Sequence, residues 1–132
     1  MSTSREREIV ITGLGIVSPI GIGADRFWQA LVTGESGIRP VDLFDASSLK
    51  VRFGGQIPDF NPKLYVRPRK SLKVMSREIQ LGFAAADLAI QDSKISESDL
   101  NPDRFGVVFG NDMIYADLED LEVTYRRSTA DG

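Results

Sequence analysis

The stretch MSREIQLGFAAADLAIQDS, which starts at Met75, constrains the fold more than any other part of the chain. Met75, Ile79, Phe83, Ala86 and Ile90 recur at helical spacing, and Leu81, Ala85 and Leu88 trace a second apolar line. A surface helix carries one apolar stripe, whereas two stripes call for cover over much of the girth. The pattern predicts a helix over 75–92 set in a layered interior. Ser76 suits its N-cap, because a serine hydroxyl accepts a backbone N–H that the first turn leaves without a partner.

The rest of the chain supplies candidate layers. Residues 8–15, EIVITGLG, are a short β-branched run ending in glycine and read as a buried strand. A helix pattern begins only near Ala24, with Phe27, Trp28 and Leu31 on its apolar side, and TGESGIRPV stops it in a turn. Residues 42–70 are irregular, broken by Gly54, Gly55, Pro58, Pro62 and Pro68, with VRFGGQI as a short strand. A second buried strand is expected at 105–109 and a more acidic helix at 115–127. Strand, helix, irregular excursion, long helix, strand is an α/β order with parallel pairing, and 132 residues suit one domain.

Composition removes several chemistries. The chain has no cysteine and no histidine, so disulfides, thiolate metal sites, imidazole catalysis and a cysteine nucleophile are all absent from it. A net charge of −3 does not suggest a nucleic-acid partner. No apolar run approaches the roughly 18 residues of a membrane span. The start, MSTSREREIV, is charged and polar and does not read as a secretory signal, so a cytoplasmic protein is expected. The acidic run DLEDLE fits a solvated helix face better than a metal site, which needs ligands converging from several segments. No metal and no cofactor is expected.

Gly13, Gly15 and Ser18 nearly spell the Gly-x-Gly-x-x-Gly fingerprint of a dinucleotide cradle. That cradle works because a helix N-terminus stands directly behind the glycines. Here Ser18-Pro19 occupies the place of the third glycine, and the helix pattern starts several residues later. Glu35 lies at the distance of a ribose ligand, but within the turn TGESG. The glycines therefore read as packing devices at a strand end, with a dinucleotide-binding domain as the alternative.

IVITGLGIVSPIG, FWQALVTGESGI, FDASS and KVMSREIQLGFAAADLAIQDS, in that order, resemble the N-terminal part of β-ketoacyl-acyl carrier protein synthases. The likeness is to the type II condensing enzyme of fatty-acid synthesis and runs from about residue 8 to residue 110. It implies a partial thiolase-like α/β fold, with 1–132 forming an N-terminal fragment of a ketosynthase domain. That fragment would be part of the first of two similar halves of layered sheets and helices, in a homodimer. It also implies decarboxylative condensation of an acyl chain with malonyl-acyl carrier protein. The family's nucleophilic Cys and its two His residues have no counterpart here, so no catalytic residue is assigned and the chain alone is expected to be inactive. A non-catalytic paralogue of the chain-length-factor kind is the alternative parent, and a polyketide pathway the alternative to fatty-acid synthesis.

The resemblance also marks binding positions. KLYVRPRKSLKVMSR carries Lys63, Arg67, Arg69, Lys70, Lys73 and Arg77. Aligned on Met75-Ser76, Lys70 and Lys73 fall where ketosynthases place basic contacts to the carrier protein, and Val74 falls where a further base is often found. A solvated loop and helix entrance is the other reading of these cations. GNDMIYADL departs from the family's glycine-rich turn, and Met113 or Ile114 is the candidate for the residue lining the acyl pocket, ordinary core packing being the alternative. Asp112 reads as a solvated loop end. A piece of such a fold is expected to expose apolar surface or a sheet edge and to self-associate.

Overall fold

The computed structural model describes residues 8–57, 59–112, 122–123 and 125–128. A two-residue strand β1 (Val17–Ser18) pairs antiparallel with β2 (Gly21–Ile22), and the Ser18 hydroxyl donates to the Gly21 carbonyl across the turn at 3.0 Å. Helix α1 (Ala24–Thr33) follows at once. Strands β3 (Ile38–Pro40) and β4 (Phe53–Gly55) form a second antiparallel pair. Irregular chain with a 3₁₀ turn at Pro62–Leu64 leads to a longer one at Arg69–Val74 and then to helix α2 (Arg77–Ser93). Residues 122–123 and 125–128 are helical, and the rest of the helix expected over 115–127 lies outside the described residues.

Local chemistry explains the helix boundaries. Gly23 caps α1 at φ 89°, a backbone region open to glycine, and Asp25 in the first turn complements the helix dipole. Gly34 ends it in the left-handed region at φ 71°, where the Glu35 N–H reaches the Ala30 carbonyl at 2.9 Å. Ser76 caps α2 through the Ile79 N–H, as its sequence position predicts. The helix ends at Lys94, which adopts the left-handed cap conformation at φ 56°.

The two stripes of α2 serve different ends. Ala84 is fully buried and Leu81, Ala85 and Leu88 are half-buried, whereas Phe83, Ala86 and Ile90 are exposed. The small side chains let the 13–15 segment lie directly on the helix backbone. A Cβ on Gly13 would collide with the Ala89 carbonyl and stand 2.7 Å from the Ser93 nitrogen. One on Gly15 would collide with the Ala85 carbonyl. The other stripe lines an open apolar groove of about 370 Å³ between Ile79, Phe83, Ile90, Val107 and Phe109.

Three expectations require correction. Residues 8–15 and 105–109 form no strand, because neither finds a partner whose N–H and C=O groups complete a ladder. Ile9, Ile11, Val107 and Val108 are accordingly exposed. Both pairings found among the described residues are antiparallel: residues 19–20 join β1 to β2 and residues 41–52 join β3 to β4, and neither connection contains the helical crossover that usually links parallel neighbours. Of the three residues expected on the apolar side of α1, Trp28 and Leu31 face outward and Phe27 is half-buried; the fully buried residue is Ala30. Gly21 lies close to this part of the helix, where an added Cβ would stand 3.1 Å from the Phe27 nitrogen.

A second small core sits under the chain that enters α2. Phe60 and Val66 are buried there, and the Phe60 and Tyr65 rings stack at 5.9 Å. Gln56, a buried polar side chain, accepts the Asp42 N–H at 3.1 Å.

Candidate carrier-docking surface

The basic stretch 63–77 divides into one structural cation and several outward ones. Arg77, at the start of α2, donates to the Ile57 carbonyl at 2.7 Å and lies 5.8 Å above the Phe60 ring. A guanidinium over an aromatic face is attracted by the ring quadrupole, so Arg77 clamps the preceding loop to the helix. Its charge is committed to holding the segment in place.

Lys70 and Lys73 lie in the 3₁₀ turn Arg69–Val74. Three residues complete each turn of such a helix, so side chains three apart eclipse. Lys70 and Lys73 therefore share one ridge, and both are exposed. Ser71 and Leu72 are half-buried and face the body of the protein. Among the described residues neither lysine forms an ion pair; the pairs that occur are Arg26–Glu35 and Glu122–Arg126. Lys63, Arg67 and Arg69 are exposed nearby. The arrangement is a solvated cationic ridge suited to an acidic macromolecule.

The 13–15 glycines are not arranged as a phosphate cradle. They pack on the α2 backbone, and the Leu14 N–H between them donates to an Asp92 carboxylate oxygen at 2.8 Å. The helix that follows starts at Ala24, well behind them. Glu35 is bound to Arg26 in a two-pronged ion pair whose Nη1–Oε1 arm is 3.1 Å. That hydrogen bond, with the guanidinium charge, holds the Glu35 carboxyl below its ordinary value and raises Arg26.

Met113 and Ile114, the acyl-pocket candidates, lie outside the described residues, while Asp112 is exposed. Sequence reasoning missed the Arg77 clamp, whose signal is only a basic residue at N1 and two aromatics upstream. It also left unused the groove face of α2. Among the described residues no helix is long and apolar enough to cross a membrane, and no three acidic side chains gather to hold a metal ion.

Comparison with known proteins extends these observations. The profile of the family described as beta-ketoacyl synthase, N-terminal domain, matches residues 6–130. The chain is 38% identical over 110 residues to 3-oxoacyl-[acyl-carrier-protein] synthase 2 of Synechocystis sp. (strain ATCC 27184 / PCC 6803 / Kazusa), covering 83% of this chain and 26% of that one. It is 34% identical over 110 residues to the tetracenomycin polyketide synthase ketoacyl synthase alpha subunit of Streptomyces glaucescens, covering 83% and 26%. A solved structure described as the ishigamide ketosynthase/chain length factor superposes with a TM-score of 0.63 at 35% identity, covering 69% of this chain and 22% of that one. The chain thus spans about a quarter of the length of the curated relatives it matches.

Proposed function

The chain belongs to the β-ketoacyl synthase family, through that family's N-terminal domain, and we propose that it serves as the N-terminal part of a carrier-protein-dependent condensing enzyme. The reaction is acyl transfer followed by carbon–carbon bond formation. An acyl group moves from its carrier thiol to an enzyme cysteine. Malonyl-carrier loses carbon dioxide, and the resulting enolate carbon attacks the acyl thioester and expels the cysteine thiolate. With no Cys and no His, these 132 residues supply neither the nucleophile nor the imidazole donors that stabilise the developing oxyanion. Their part is scaffold and recognition.

The roles fall to named residues. Lys70 and Lys73 meet the acidic carrier protein, and Arg77 holds the turn that presents them. Met113 or Ile114 contacts the acyl chain, where bulk restricts its length. The complete enzyme under this reading is a homodimer, in a partial thiolase-like arrangement here, working in the cytoplasm on fatty-acid or polyketide intermediates.

The observation that carries the reading is the family match across residues 6–130. Its test is a chimera in which residues 8–110 replace the corresponding segment of the Synechocystis synthase 2 relative. The expected result is retained condensation of acyl- and malonyl-carrier thioesters. A folded chimera that takes up the acyl group on its cysteine but forms no carbon–carbon bond contradicts it.

A second reading, a chain-length-factor-like partner subunit, is favoured by the solved neighbour whose description names a chain length factor. The residue at the nucleophile position in the polypeptide that carries this domain separates the two: cysteine in the first reading, another residue in the second.

A further inference from the structure

We propose that residues 105–109 form a self-complementary edge at which two copies of this chain pair antiparallel, across a two-fold axis at Val107. The inference concerns how the chain itself assembles and does not depend on the carrier-docking reading.

The run FGVVF holds no charge and no proline. Phe105, Val107 and Phe109 are exposed, and Val108 is 101% exposed. Among the described residues no backbone hydrogen bond involves residues 106–110, so N–H and C=O groups stand open along the run. The segment is nevertheless held in place. A Cβ on Gly82 would collide with the Phe109 ring, and Val107 and Phe109 line the apolar groove beside Phe83 and Ile90. A fixed apolar run with open backbone groups is a template for another strand, and its pre-ordering lowers the cost of association.

The segment's own side chains fit a second copy. Alternation along extended chain puts Phe105, Val107 and Phe109 on the face turned to α2, and Gly106 and Val108 on the other. With Val107 opposite Val107 of the second copy, Phe105 of each copy meets Phe109 of the other, and Val108 lies beside Gly106. Both α2 helices then sit on one face of the ribbon. A shift of one residue would turn the second copy's groove face away. In this register Arg104 lies diagonal to Asp112 of the second copy at each end, within reach of a long side chain. Both residues are exposed, and neither is in an ion pair among the described residues. A specific interface takes about 800 Å² from each partner. Phe83, Phe105 and Phe109, with about 150–250 Å² in each whole side chain, together with Val107, Val108 and Ile90, offer an area of that order. One occupant thus covers both the open edge and the groove.

The test is sedimentation of the 132-residue chain across a range of concentrations, paired with oxidative cross-linking of single-cysteine variants, which a chain without native cysteine makes unambiguous. A monomer–dimer equilibrium is expected. Val107→Cys is expected to form a covalent dimer about tenfold faster than Val108→Cys or Ile9→Cys, because residues directly opposite lie within disulfide reach and diagonal ones beyond it. Arg104→Asp is expected to raise the dimer dissociation constant about two- to thirtyfold, the range for losing two exposed ion pairs. Arg104→Asp/Asp112→Arg is expected to recover it. A monomer at every concentration, or growth beyond a dimer, overturns the two-fold pairing. Equal cross-linking at 107 and 108, faster cross-linking of Ile9→Cys, or an unchanged dissociation constant in Arg104→Asp overturns the segment and register assigned here.

Discussion

The backbone N–H of Leu14 donates to the Asp92 carboxylate at 2.8 Å, joining residues 78 apart in the chain. On either side of Leu14 a glycine lies against the same helix, Gly13 at Ala89 and Gly15 at Ala85. One polar tie between two close backbone contacts fixes the register of the 13–15 segment on α2. Those glycines are thereby committed to packing, and no phosphate-binding role is left for them.

Gly13→Ala and Gly15→Ala each place a methyl group onto a helix carbonyl that cannot move without its helix. Each is expected to cost about 1–3 kcal/mol or more, the range for overpacking a close contact. Gly54→Ala is the control, because nothing lies within 4 Å of the added carbon. Urea denaturation of the three variants checks the ordering: Gly13→Ala and Gly15→Ala lose midpoint, and Gly54→Ala stays near wild type.

Asp92→Ala removes the acceptor of the Leu14 N–H. The expected loss is about 1 kcal/mol, and Asp92→Asn, which keeps a carbonyl oxygen, recovers part of it. Amide hydrogen exchange at Leu14 is the direct reading, faster in Asp92→Ala and intermediate in Asp92→Asn. Unchanged exchange at Leu14 contradicts the tie.

How much of this was legible in the sequence depends on how local the determinants are. The Ser76 cap and the late start of α1 follow from neighbours within a turn, and both stand where the sequence puts them. Residues 8–15 and 105–109 have strand composition, but a strand exists only through a partner, and the described residues supply none. The two stripes of α2 were visible, yet which stripe takes the glycine segment depends on Ala84, Ala85 and Ala89 being small. Lys70 and Lys73 were marked only by family resemblance. Their shared ridge needed the 3₁₀ geometry, which no spacing rule announces for RKSLKV.

The Arg77 clamp predicts a loss on truncation. Arg77→Ala gives up the hydrogen bond to Ile57 and the contact over Phe60, together worth about 1–2 kcal/mol. Thermal denaturation is expected to show the drop, and Arg77→Lys to restore part of it, because an ammonium keeps the charge but loses the planar fork. Equal midpoints for all three proteins count against the clamp.

The Arg26–Glu35 pair gives stability a small pH dependence of defined sign. The Glu35 carboxyl is held below 4.5, its ordinary value, first by the hydrogen bond from Arg26. The charged form is thus favoured in the folded protein, and this contribution is complete above 4.5 and lost as pH falls through the depressed folded value. Carboxyl carbon shifts followed by NMR should give a Glu35 midpoint below 4.5, moving up toward it in Arg26→Ala. A midpoint at or above 4.5 in the wild-type chain contradicts the pairing.

Carbon dioxide release from malonyl-acyl carrier protein, measured with the purified 132-residue chain, tests most directly the claim that this domain recognises and supports but does not itself react. Release at the rate of the enzyme-free control is the predicted result. Release above that rate, abolished by heat-denaturing the chain, would show that chemistry resides in residues other than cysteine and histidine and would contradict the account.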